Sequence, residues 1–203
     1  EAIAAGAVLA DEFKTMFTYA GKSGPLSTDP TELVLNNTWL AALEITGIDG
    51  IPAPADAGNV LRPSTTARFS LRLPPTTDVA LATTALTDLL TDDPPGAVSV
   101  SLKLDQPAAG WHAPLTDPLL LWSLQAASLA FFGGPAIATG CGGSIPFMKF
   151  LGNSLPEAQF VVTGVLGPHS NAHGPNEFLH IPTAIKLTAS MAKVICDWGQ
   201  RRA

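Results

Sequence analysis

The chain of 203 residues carries 46% apolar, 14% charged and 7% aromatic side chains, a balance that excludes disorder, collagen and a polar repeat array. Its net charge is −6 and no basic run exceeds Arg201-Arg202, so the positive surface that nucleic acid or an anionic membrane requires is missing. Length permits one ordinary domain or two small ones, yet the charged fraction is about half the usual quarter, a thin solvated surface for a free-standing domain.

Residues 1–20 contain few breakers and place Ala4, Val8, Phe13, Met16 and Phe17 at mixed three- and four-residue spacings, which predicts a helix with one apolar side. Residues 21–30 (GKSGPLSTDP) read as a turn-rich linker, 39–48 (WLAALEITGI) as a strand and 49–59 as a loop. Residues 66–73 (TARFSLRL) alternate, setting Ala67, Phe69, Leu71 and Leu73 against Thr66, Arg68, Ser70 and Arg72, the pattern of a half-buried strand. Pro74-Pro75 end it, and Asp78 is placed to cap a helix reaching about residue 90. A second alternating run, 97–104 (AVSVSLKL), predicts another strand. The segment 39–105 is therefore expected to form a small α+β unit, a sheet covered by helices.

After 106–114 the texture changes to helices and short buried strands. Asp117 starts a helix to Phe131, interrupted by Ser123, Gln125 and Ser128 and stopped at Gly133-Gly134; this apolar stretch is too short for a membrane span of about 20 residues. Residues 136–139 are a short strand candidate, 144–151 a short helix, 159–165 (QFVVTGV) a strand apolar on both faces, and 182–198 the closing helix. The predicted organisation is a helix and linker over 1–37, the α+β unit over 38–110 and an α/β portion over 111–203, with no internal repeat. Cys141 and Cys196 are too few for a disulfide framework and form no CxxC pair, which points to a reducing, cytoplasmic setting. The start at Glu1, with no basic leader or cleavage signal, reads as a processed product or an excised portion.

Three of the four histidines, His169, His173 and His180, fall within twelve residues in VLGPHSNAHGPNEFLHIP. Imidazoles are natural zinc ligands, but a site needs three or four donors. Pro168, Gly174 and Pro175 argue against a helical pair for His169 and His173. The plain reading of His112 and His169 is a polar loop side chain, and His180, between Leu179 and Ile181, is expected to be partly buried beside the last helix. The turn 140–146 (GCGGSIP) either cradles an anion on backbone N–H groups and Ser144 or simply permits close packing.

Taken together, GGSIPFMKFLGNSLPEAQFVVTGVLGPHSNAHGPNEFLHIPTAIKLTASMAKVI resembles the C-terminal segment of the zinc-dependent M20 metallopeptidases, the family of carnosinase-like dipeptidases, glutamate carboxypeptidases and aminoacylases. A GGS-I-P turn, a buried strand and an A-H-x-x-N-E loop follow one another as they do in that family. ITGIDGIPAPADAGNVLRPSTTARFSLRLPP similarly resembles the latter part of its lid or dimerisation domain, so the likeness covers about 39–195. It implies a lid-type α+β sandwich unit joined to the C-terminal part of an α/β catalytic domain. Carried over by motif, His173 matches the terminal histidine ligand of one zinc and Arg72 the arginine that holds the substrate's carboxylate. Asn59, Gly143 and Ser144 match substrate-contacting positions. The carboxylate role suits Arg72, whose guanidinium fork is a bidentate partner for a carboxylate.

Two departures from the family pattern stand out. Carnosinase-like members usually carry glutamate where this chain has Cys141, leaving open a thiolate ligand, an inert small residue or a lineage-specific change. The H-x-D motif, the Glu-Glu pair and the H-S-G motif of the family have no counterpart here. The resemblance thus implies a portion of a hydrolase that cleaves dipeptides or N-acyl amino acids. The intact enzyme would bind two zinc ions and form a homodimer, while this chain alone, lacking the general base, would be inactive. The alternatives are a non-catalytic dimerisation or binding module, or an independent zinc site built from His169, His173, Glu177 and Cys141.

Overall fold

The computed structural model describes residues 1–12, 19–105, 107–141 and 146–200. Helix α1 (Ala2–Leu9) packs on α2 (Pro30–Thr38) around buried Ala5 and Val34, with Ala2, Leu9, Leu33 and Ile137 beside them. The expected 1–20 helix is thus seen over its first half, and residues 13–18 lie outside the described residues. Helix α2 occupies the end of the stretch to residue 37 expected to be linker. Its cause is local: Asp29 accepts the Thr31 N–H at 2.8 Å, Pro30 opens the helix and Glu32 sits in its first turn, a full set of N-terminal signals.

Strands β1 (Ala42–Asp49) and β2 (Thr66–Arg72) form an antiparallel pair. Leu43 faces Leu71, Ile45 faces Phe69, and after a bulge at Thr46, Ile48 faces Ala67. Strict alternation would turn Ile48 to the opposite side; the extra residue restores it to the apolar face. The other face carries Glu44, Ser70, Arg68 and Arg72. The apolar face is open, with Leu43 62% and Ile45 65% exposed, and burying each such side chain is worth about 1.5–3 kcal/mol.

Asp78 caps α3 (Val79–Thr91) as its position predicts, accepting N–H bonds from Ala80 at 2.8 Å and Leu81 at 3.0 Å. The run 97–104 forms no strand, nor do 136–139 and 159–165; the sheet among the described residues has two strands. A strand exists only where a neighbour completes its ladder, and alternation in sequence specifies the face without supplying that neighbour.

Helices α4 (Pro118–Phe132), α5 (Pro146–Ser154) and α6 (Ile181–Gln200) follow. α4 begins on the Asp117 cap, whose carboxylate accepts the Leu119 N–H at 2.8 Å, and ends on Gly133 in the left-handed conformation (φ 79°), the usual helix stop. The Gln125 amide then clamps Ala136 through two bonds, of 2.7 and 3.1 Å, taking the place of a strand partner. α4 packs on α6 through Leu120, Ala127 and Val194, flanked by Leu124, Met191 and Trp198.

A polar node closes this helix pair. Lys193 donates to Asp197 Oδ2 at 2.8 Å and Ser123 donates to the same oxygen at 2.5 Å. The Lys193 bond first, then that of Ser123, holds the Asp197 carboxyl below its ordinary value of 3.8, outweighing desolvation. A depressed carboxylate stabilises the fold above its unfolded pKa, and that contribution disappears as pH falls through the lower folded value. Acidification below about pH 4 should therefore loosen α4 from α6, read by fluorescence of Trp122 and Trp198. Asp197→Asn should flatten that acid limb; an unchanged limb would show that the node does not set it.

The surface area is 15,029 Å² for a mass of 21.0 kDa, against about 9,000 Å² for a folded monomer of that mass and about 30,000 Å² for the unfolded chain. Folding thus removes about half of the chain's surface, where a domain of this length removes about 70% or more. The thin charged surface noted in the composition has this structural counterpart: apolar faces lie open.

Candidate functional site

The loop between Gly167 and α6 is the most elaborately bonded irregular segment described. Gly167 N–H donates to Ser170 Oγ at 3.1 Å, Ser170 N–H returns to the Gly167 carbonyl at 3.2 Å, and Phe178 N–H reaches the Ser170 carbonyl at 3.2 Å. Ser170 is only 3% exposed, so the base of the loop is closed on a buried hydroxyl. Inside it, Asn171 Nδ2 donates to the Pro175 carbonyl at 2.8 Å and Gly174 N–H to the Asn171 carbonyl at 2.9 Å. Four non-glycine residues are left-handed: His169 (φ 61°), Asn171 (53°), His173 (62°) and Asn176 (59°). Asparagine and histidine enter this conformation more often than other non-glycine residues, and four of them in one short loop need surroundings that hold them there. Two glycines make the packing possible, since a Cβ on Gly174 would lie 2.5 Å from Asn171 Nδ2 and one on Gly167 would strike the His180 side chain.

The four histidines separate by environment. His180 is half-buried and caps α6, its Nδ1 2.8 Å from Thr183 Oγ1 and accepting the Thr183 N–H at 3.3 Å, in line with the partial burial expected for it. His112 meets the Trp39 ring edge-on at 5.7 Å. His173 is exposed, and among the described residues no side chain engages its imidazole, while its backbone N–H donates to Glu177 Oε2 at 2.9 Å. A free imidazole on a pinned loop suits a zinc ligand. Among the described residues, however, no three His, Cys, Asp or Glu side chains gather to hold a metal. The fit to zinc is that of one contributed ligand, and His169, Glu177 and Cys141 do not join His173 in a self-contained site.

Arg72 and Cys141 line one open trough of about 2,570 Å³, several times the volume of a small-molecule pocket. His173, Glu177 and Asn59 are not among its walls. Asn59 is exposed in the loop before β2, Cys141 is an exposed free thiol, and Gly143 and Ser144 lie outside the described residues. On the polar face of β2 the two arginines differ in kind. Arg68 is paired with Asp105 at 3.0 Å, whereas Arg72, at the strand's end opposite Ala42, has no carboxylate partner among the described residues. Arg62 and Lys103 also line the trough; sequence reading passed them over, because in a chain of net charge −6 neither stands in a motif.

The described elements match part of the fold of the M20 dipeptidases. Two solved structures establish it. Human carnosine dipeptidase 1 superposes with a TM-score of 0.68 at 18% identity, over 94% of this chain and 42% of that one. The dipeptidase Dug1p from Saccharomyces cerevisiae gives 0.66 at 18% identity over the same shares. In sequence, the chain is 25% identical over 179 residues to a cysteinylglycine-S-conjugate dipeptidase of Corynebacterium striatum, covering 87% of this chain and 38% of that protein. No protein-family model matches. The resemblance to the M20 zinc peptidases is borne out, and the chain spans about two fifths of the length of the relatives it matches. No described helix is long and apolar enough to cross a membrane.

Proposed function

We propose that this chain works as the C-terminal portion of a zinc-dependent M20-type hydrolase that cleaves the amide bond of dipeptides or N-acyl amino acids. The observation that carries the reading is the match of nearly the whole chain to dipeptidases alone among the relatives described, in sequence and in fold. In this reading Arg72 binds the substrate's carboxylate, with Asn59, Gly143 and Ser144 completing its contacts, and His173 supplies one zinc ligand. Zinc at such a centre polarises the amide carbonyl and lowers the pKa of a bound water. The chain's own contribution is to orient substrate and present one imidazole; the general base comes from outside it.

The excess surface supports the same reading, because a trough of this volume and an open apolar sheet face suit cover by another polypeptide layer. The test is direct. The full-length protein with zinc should hydrolyse dipeptides, and the 203-residue chain with zinc should not. Turnover by the isolated chain that His173→Ala abolishes would refute the division of labour, and a full-length protein inert toward dipeptides and N-acyl amino acids alike would refute the activity.

The open face of Leu43, Ile45 and Ile48 favours a second reading, in which the chain is a non-catalytic dimerisation or binding module derived from that family. Light scattering together with a dipeptide assay on the full-length protein separates the two: a dimer that Ile45→Asp disperses and that turns over no dipeptide supports it, and dipeptide turnover excludes it.

A further inference from the structure

The family likeness assigns a role to His173 but none to Glu177, and the geometry points to Glu177 as a positioning residue that sets the His173 imidazole by holding its backbone. The inference rests on the reading of His173 as a zinc ligand. Its basis is the bond itself: Glu177 Oε2 accepts the His173 N–H at 2.9 Å. His173 stands at φ 62°, a conformation uncommon outside glycine that histidine enters more readily than most residues. Its N–H, like any backbone donor, needs an acceptor, and the Glu177 carboxylate supplies a charge-assisted one.

The rest of the loop makes this bond decisive. Asn171 bonds the Pro175 carbonyl and Ser170 ties Gly167 to Phe178, so the chain on either side of His173 is fixed. Glu177 holds the peptide on the N-terminal side of His173, and the Gly174 N–H bond to the Asn171 carbonyl holds the one on its C-terminal side. With both peptides held, the Cα–Cβ direction is set, and the imidazole is presented without loss of backbone freedom on binding. The same bond argues against Glu177 as a metal ligand, because one carboxylate oxygen is already committed to an amide. Glu177 and His173 approach each other through backbone and carboxylate, and among the described residues no third donor joins them.

Full-length Glu177→Ala, Glu177→Gln and Glu177→Asp proteins test the inference through zinc affinity, by competition with a chromogenic chelator, and hydrogen exchange at the His173 amide. Glu177→Ala should weaken zinc binding about 10- to 100-fold, the usual cost of losing a group that orients a ligand, and accelerate exchange at His173 at least about tenfold. Glu177→Gln keeps an acceptor oxygen at the same reach and should restore both readouts; Glu177→Asp keeps the charge, loses the reach and should not. Zinc affinity and exchange unchanged in Glu177→Ala would overturn the proposal. Glu177→Gln as weak as Glu177→Ala for zinc but with slow His173 exchange would make the carboxylate a direct ligand and overturn it equally. If His173→Ala leaves zinc affinity intact, the ligand reading fails on its own account, whereas a damaging His173→Ala beside a harmless Glu177→Ala defeats only the positioning role. The Gln and Asp variants decide the matter even if Glu177→Ala fails to fold.

Discussion

Arg72→Ala in the full-length enzyme should raise KM for a free dipeptide by about 30- to 5,000-fold with a much smaller change in kcat, the roughly 2–5 kcal/mol lost when one partner leaves a hydrogen-bonded charge pair. The effect follows from the state of the side chain. Arg68, on the same face of β2, is already paired with Asp105, while Arg72 at the strand's end lines the trough without a carboxylate partner among the described residues. A planar fork with free N–H donors binds a carboxylate through two parallel bonds. Lysine retains the charge without that geometry, so Arg72→Lys should recover only part of the loss. The decisive control is a C-terminally amidated dipeptide. Wild-type enzyme should discriminate strongly against it and Arg72→Ala should not; equal discrimination by both proteins would remove Arg72 from carboxylate recognition.

Most helix ends are legible in the sequence because their physics is local. Asp78 caps α3, Asp117 caps α4, and Gly133 stops α4, because a cap depends on side-chain chemistry within a few residues. Helix α2 was legible by the same rule, since Asp29, Pro30 and Glu32 are all in place, but the neighbouring turn residues drew the segment into a linker. The alternating run 97–104 and the apolar run 159–165 show the opposite limit. Their pattern satisfies a strand, yet pairing depends on a neighbour that no property of the run itself specifies. The bulge at Thr46 was invisible for a related reason: it is defined by the register against β2, not by composition.

The candidate site divides in the same way. The spacing of His169, His173 and His180 drew attention to one loop, and the motif selected His173, but only the coordinates distinguish an imidazole spent on capping α6 from one left free. The pairing that sets Arg68 apart from Arg72 spans 37 residues of sequence, far outside any motif. Glu177 appeared in the sequence as a possible ligand because carboxylates are metal donors; the observed bond to the His173 amide gives it a different task. The low charged fraction, by contrast, was informative before any coordinates, and the open apolar face of β1 and β2 is where that shortage of solvated surface falls.

His173→Ala is the substitution with the largest expected consequence. In the full-length enzyme it should lower kcat/KM by at least about 1,000-fold, since a Lewis acid at the scissile carbonyl is worth several kcal/mol and each 1.36 kcal/mol is a factor of ten. The loop that carries His173 is bonded independently of its ring: Ser170, Asn171 and Glu177 all engage backbone groups. Truncating the imidazole therefore leaves the scaffold standing, and far-UV circular dichroism and thermal midpoint should match the parent. Metal analysis after dialysis should show less zinc per chain in His173→Ala, and His169→Ala should retain both zinc and activity, because His169 answers to no position of the family motif. A fully active, zinc-replete His173→Ala enzyme would remove this loop from the metal centre, and an inactive His169→Ala of normal stability would transfer the role four residues upstream.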